Sequence, residues 1–185
     1  VMAGMYAVYH GKDGIRMIAE GIHAYTNTLS KYLTKFGYSI STNNFFDTLT
    51  ISLPKENATE LIEFASSKSI NLRFITTSSI SLSLNETVEF HELENLIQLF
   101  ADFVAYNEEF TIEVDKNLAI DSNLKRKSTY LTHPTFNSYH SETEMMRYIK
   151  RLENKDFSLV HGMIPLGSCT MKLNAATELL PLTWN

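Results

Sequence analysis

Cysteine is almost absent: Cys169 is the single one in 185 residues. No disulfide can therefore form within the chain, and that usage fits a reducing compartment. Long apolar runs are absent too. None approaches the ~20 residues that a membrane-spanning helix requires. Positive charge is in deficit, with 16 Lys and Arg against 21 Asp and Glu, a formal net charge of −5. Such a balance provides no global field to draw nucleic acid or an anionic membrane. Six histidines are scattered along the chain, at 10, 23, 91, 133, 140 and 161. No pair falls at a metal-ligand spacing, and with one thiol no zinc site is expected. Repeats and low-complexity tracts are also missing. What is present is an apolar share of 44%, ordinary for a chain that buries a real core.

The start, V-M-A-G-M-Y-A-V-Y-H-G, is apolar but has neither a charged leader nor a cleavage pattern. It reads as the interior of a helix. The other end, L-L-P-L-T-W-N, stops without a terminating pattern. Both ends are expected to continue in a longer polypeptide.

Residues 14–36 show the clearest helical period. Ile15, Ile18, Ile22, Tyr25, Leu29, Tyr32 and Phe36 recur at steps of three and four, which lines up one apolar stripe. Gly37 follows as a left-handed cap. Leu49, Ile51 and Leu53 alternate with polar residues as a half-buried strand, ended by Pro54. Asn57 with Glu60 predicts the start of a short helix whose buried side is Leu61, Ile62 and Ala65. Ile70, Leu72 and Phe74 alternate, as do Ile80, Leu82 and Leu84. The polar turn T-T-S-S between them predicts an antiparallel hairpin. A second strong helix carries Leu93, Leu96, Ile97, Phe100, Phe103 and Val104. This order predicts an α/β chain, in detail a small α+β domain over 14–106 with helices on one face of a mostly antiparallel sheet.

Residues 107–131 lose the pattern and read as a connector with room for one short helix. Their basic run, Lys125 to Lys127, reads as a solvated face. Then His133-Pro134 forms an extended pair. Ser141 and Glu144 make a capping box for a helix with Met145, Tyr148, Ile149 and Leu152 on one stripe.

The stretch M-I-P-L-G-S-C-T-M-K-L-N, 163–174, holds the residues that invite a chemical reading. Cys169 as a nucleophile would need a base in reach, and neither His161 nor His140 is placed there by the sequence. Inert packing is the plainer role. Lys172 could form a Schiff base if burial lowered its pKa, or simply start an exposed helix. Pro165 and Gly167 fix a turn, after which Ser168, Cys169 and Thr170 present small side chains and free N–H groups. Such a turn can receive an anion, or Ser168 or Thr170 can cap the helix. Tyr6 with Tyr9, and Phe45 with Phe46, have no interleaved basic residues and read as core or interface.

The words M-Y-A-V-Y-H-G (5–11), Y-L-T-H-P (130–134), F-N-S-Y-H-S-E-T-E-M (136–145), R-Y-I-K-R-L-E-N-K-D (147–156) and M-I-P-L-G-S-C-T-M-K-L-N together resemble the glycine decarboxylase P-protein family. That family is the pyridoxal-phosphate oxidoreductase component of the glycine cleavage system. Its long single-chain form joins two aminotransferase-like, fold-type-I halves, and the matched words fall across the junction. The resemblance implies that 1–13 end the first half's large domain and 14–106 form its small domain. It also implies a connector over 107–131 and the opening of the second, catalytic half over 132–185. Departures are minor: W-N at the end where W-P is usual, and Asn85 where an acid is usual.

The implied activity is glycine decarboxylation with pyridoxal 5'-phosphate, the aminomethyl group passing to the lipoyl arm of the H-protein. A homodimer in the bacterial cytoplasm or the mitochondrial matrix is implied as well. The family's cofactor-bearing lysine is expected beyond Asn185, and Lys172 does not match its motif. No catalytic residue is therefore expected in this chain, and the fragment alone is expected to be inactive. Ser168, Cys169 and Thr170 are expected to face the active-site cleft. The alternative is a non-catalytic packing or dimer-interface module. A cysteine hydrolase is a third reading, and fast alkylation of Cys169 would be its signature.

Overall fold

The computed structural model describes residues 1–41, 44–117, 120–156, 161, 177 and 180–183. In chain order they form helix α1 (Met2–Lys35), strands β1 (Ser39–Ile40) and β2 (Thr48–Ser52), and helix α2 (Ala58–Ser67). Strands β3 (Arg73–Thr76) and β4 (Ser79–Ser83) follow, then helices α3 (Phe90–Phe103) and α4 (Glu142–Glu153). The chain divides into two compact units, Asp13–Tyr130 on one side and Val1–Lys12 with Leu131–Asn185 on the other.

The larger unit is the expected α/β mix. Its four strands pair antiparallel in the order β1-β2-β4-β3. In this register Leu49 stands opposite Leu82 and Ile51 opposite Ile80. Alternation along a strand puts these four on one face. They are buried there with Leu29 and Leu33 of α1, Leu61 and Ala65 of α2, and Leu93, Ile97 and Phe100 of α3. The opposite face carries hydroxyls, among them the pair Thr48 and Ser83 at 2.7 Å. One greasy face and one hydroxyl face are what the alternating L-T-I-S and I-S-L-S patterns dictate.

Gly37 has φ 92, the left-handed cap expected of it. Ala105 closes α3 in the same region at φ 52 without being a glycine. Tyr106 N–H returns to the Ala101 carbonyl at 2.9 Å there, so the hydrogen bonding of the cap holds a conformation its Cβ disfavours.

Three local expectations are corrected. Asn57 stands at the N-cap of α2 but makes no side-chain cap. The Ala58 N–H, one position before those a cap side chain reaches, donates to the Thr77 carbonyl at 2.9 Å, a tertiary bond that sequence reading does not see. Ile70 and Leu72 precede β3 rather than form it, and Phe74 within it is 50% exposed. The reason is an irregular register between Phe74 and Thr76 at a sheet edge. β1 has two residues, too few for any periodicity. Helix α1 runs from Met2, in keeping with the helical reading of the first residues, and contains a break at Gly11, with φ 63 and ψ −174.

Residues 107–117 and 120–130 form no helix or strand. Much of this stretch is nonetheless strapped along α1. Tyr32 Oη donates to the Thr111 carbonyl at 2.6 Å and accepts from Glu113 N–H at 3.2 Å. Asp115 N–H donates to Thr28 Oγ1 at 2.8 Å. Phe110 packs its ring within 5.2 Å of Phe36. A polar, unpatterned sequence is thus held by side chains of a helix whose own positions were read only for their apolar stripe.

Candidate functional site

The smaller unit brings together two of the words that stand about 130 residues apart. His140, of F-N-S-Y-H, donates from Nδ1 to the carbonyl of Tyr9, of Y-A-V-Y-H-G, at 2.7 Å. Carbonyls at a helix break need donors from elsewhere, and the break at Gly11 explains why a side chain serves here. A Cβ on Gly11 would stand 2.6 Å from the Phe136 carbonyl oxygen and 2.7 Å from His140 Cε1. The close approach and the positive φ both require glycine. His133 Nδ1 accepts from Thr135 N–H at 3.2 Å and so caps the 3-10 turn Pro134–Asn137. Two histidines of this region are therefore tied to backbone by defined ring nitrogens.

Aromatic rings surround the junction. Tyr6 lies 4.2 Å from the His10 ring. Tyr139 stacks on Tyr148 at 4.3 Å, and the Arg151 guanidinium stands 5.3 Å from each ring. Arg151 also donates to the Tyr139 hydroxyl. Ser141 Oγ accepts from Glu144 N–H at 3.3 Å, the first arm of the expected box. The Glu144 carboxylate accepts from the Ser141 hydroxyl at 3.1 Å rather than returning to its N–H.

The cleft-loop residues Ser168, Cys169 and Thr170, with Lys172, lie outside the described residues. Nothing among the described residues forms a metal-binding group of three or more His, Cys, Asp or Glu. No described helix is long and apolar enough to cross a membrane. Among the described residues the buried polar side chains are His23, Thr26, Thr28 and Ser81.

A second feature lies in the larger unit. A cleft of about 680 Å³ opens beside α1, with Arg16, Glu20 and His23 on one wall and Phe46, Lys125 and Arg126 on others. Arg16, Glu20 and His23 follow at i, i+4 and i+7, one helical face. That spacing is legible in the sequence, whereas the histidine's burial is not. His23 is 1% exposed. Its Nδ1 donates to the Phe46 carbonyl at 3.0 Å, and its Nε2 is buried without a partner among the described residues. The Phe46 ring lies parallel to it at 6.2 Å, so the Phe45-Phe46 pair is in part a histidine platform.

Away from both places, burial raises the Tyr38 hydroxyl well above its ordinary range, and that hydroxyl donates to the Phe100 carbonyl at 3.1 Å. Hydrogen bonds from Gln98 and Lys68 hold the Asp102 carboxyl below its usual range. Neither group stands in a site. Both serve the packing of α3.

Helices over one face of a four-stranded antiparallel sheet define an α/β chain. Comparison narrows the class. A sequence model of the glycine cleavage system P-protein matches residues 1–100, and the chain belongs to that family. Its similarity extends along the whole length. It is 48% identical to a glycine dehydrogenase (decarboxylating) of Nostoc sp. over 189 aligned residues, covering 100% of this chain and 19% of that protein. It is 50% identical to the Vibrio parahaemolyticus protein of the same name, covering 99% of this chain and 19% of that one. The Bacteroides thetaiotaomicron protein is 47% identical over 98% of the chain, again 19% of its own length. The chain thus spans about a fifth of the curated relatives it matches.

Proposed function

We propose that this chain is the central region of a glycine dehydrogenase (decarboxylating), the pyridoxal-phosphate protein of the glycine cleavage system. The whole protein would decarboxylate glycine and pass the aminomethyl group to the lipoyl arm of the H-protein, working as a homodimer in the bacterial cytoplasm or the mitochondrial matrix. The observation that carries this reading is identity of 47–50% over 98–100% of the chain to proteins of that name. Within it, 1–13 would end one large domain, 14–106 form a small domain, 107–131 connect, and 132–185 open the catalytic half. Pyridoxal phosphate would supply the electron sink for decarboxylation, held by a lysine outside this chain. Ser168, Cys169 and Thr170 would shape the cleft without forming a bond to substrate.

The test is an assay of the full-length protein that contains this chain, with pyridoxal phosphate, glycine and lipoyl H-protein. Carbon dioxide release that depends on all three is expected. No release with a properly lipoylated H-protein would overturn the reading. Residues 1–185 alone should release none. The packing-module reading draws on a different observation: Met146, Ile149, Phe74 and Ile75 are large, apolar and exposed. It is compatible with the first reading for this region, and would stand alone only if the full-length protein were inactive.

A further inference from the structure

The cleft beside α1 has three properties that belong together. Its cations outnumber its acids, with Arg16, Lys125 and Arg126 against Glu20. Arg16 and Lys125 make no ion pair or hydrogen bond among the described residues. Arg126 is turned by a bond from Nε to the Ser128 carbonyl at 3.3 Å, with its guanidinium 5.0 Å from the Tyr130 ring. Between the cations the lining is apolar, and Leu124 stands 64% exposed at its rim. An apolar surface edged by uncompensated cations is complementary to an apolar side chain flanked by carboxylates. The buried, unpartnered Nε2 of His23 behind the lining adds a polar atom that this chain leaves unsatisfied.

We propose that this cleft is a docking surface for an acidic segment of the same polypeptide, one that presents Asp or Glu beside an apolar side chain. The inference rests on the reading that this chain is part of a longer protein. Relatives about five times its length leave roughly four-fifths of each protein to supply the occupant, since the chain covers 19% of them. Lys125 to Lys127, which composition alone assigns to a solvated face, then belong in part to an internal interface.

The test places p-benzoylphenylalanine at Leu124 in the full-length protein and maps photo-cross-links by mass spectrometry, in dimers mixed from light and heavy subunits. The expected product joins position 124 to an acid-bearing peptide outside residues 1–185 of the same subunit. Arg16→Gln with Lys125→Gln should lower its yield at least tenfold, and 0.5 M salt should lower it as well. Four results would overturn the proposal: no cross-link, a cross-link within residues 1–185, a light–heavy cross-link between subunits, or a yield indifferent to both charge and salt. Glycine decarboxylation measured on the same preparation keeps the outcomes apart. An active protein without the cross-link defeats the docking surface alone, and a cross-linked but inactive protein defeats the functional reading alone.

Discussion

The two units of this chain differ in how they keep their apolar side chains from water. In Asp13–Tyr130 a cluster from three helices and the sheet is closed on itself, with Leu29, Leu33, Leu49, Ile51, Leu61, Ile80, Leu93, Ile97 and Phe100 all at 0% exposure. In the other unit Val8 is the one buried hydrophobic side chain among the described residues. Helix α4 there is strongly two-sided in sequence and yet buries no residue. Its Met146 is 64% exposed and its Ile149 48%. An amphipathic helix owes most of its stability to the surface it packs on. The first unit therefore holds its own core, whereas the described residues of the second are tied by caps, ring stacks and the His140–Tyr9 carbonyl bond. Such polar and aromatic devices set geometry at modest net stability.

The sharpest way to break this contrast is to truncate one large apolar side chain in each unit. Phe100→Ala should cost about 3–5 kcal/mol in urea unfolding of the larger unit. Met146→Ala should stay within about 0.5 kcal/mol. Equal effects would end the distinction. Next in size is Gly11→Ala. Its backbone, at φ 63 and ψ −174, lies in a region essentially reserved for glycine that costs another residue about 1–3 kcal/mol, and the clash with Phe136 adds to it. Circular dichroism at the aromatic bands should report loss of the Tyr9–His140 junction, while the unfolding midpoint of the larger unit stays unchanged.

The last effect is silent near neutral pH. Burial raises the folded pKa of Tyr38 above its unfolded value, which lies near ~10. The folded state then keeps a proton that the unfolded chain loses. Stability is full below pH ~10 and falls as the pH rises beyond it. Tyr38→Phe should flatten that alkaline limb in the larger unit, and a limb of unchanged steepness would contradict the assignment.

Much of this contrast was legible in the sequence. The stripe from Leu29 to Phe36, Gly37, and the alternation at 49–53 and 80–84 all act through local periodicity, and periodicity survives reading one residue at a time. Its first three members, Ile15, Ile18 and Ile22, fit the same period yet are only half-buried, because a period shows which face is apolar and not what covers it. The break at Gly11 was not legible: its cause is a contact with Phe136 and His140, more than 120 residues on. His23 carries no signal at metal spacings, because its partners are a backbone carbonyl and an aromatic ring. Family resemblance reached further than periodicity for function, since words such as H-P-T-F-N-S-Y-H encode long-range geometry that no local rule expresses.

Residues 13–130 carry a core of their own, whereas no residue of α4 is buried. Native-state hydrogen exchange on this 185-residue chain, read peptide by peptide, tests it directly. The slowest amides should lie in β2, β4, α3 and the part of α1 from Leu29 to Lys35, with α4 exchanging orders of magnitude faster through local opening. Amides in α4 protected as strongly as those in α3 would contradict it.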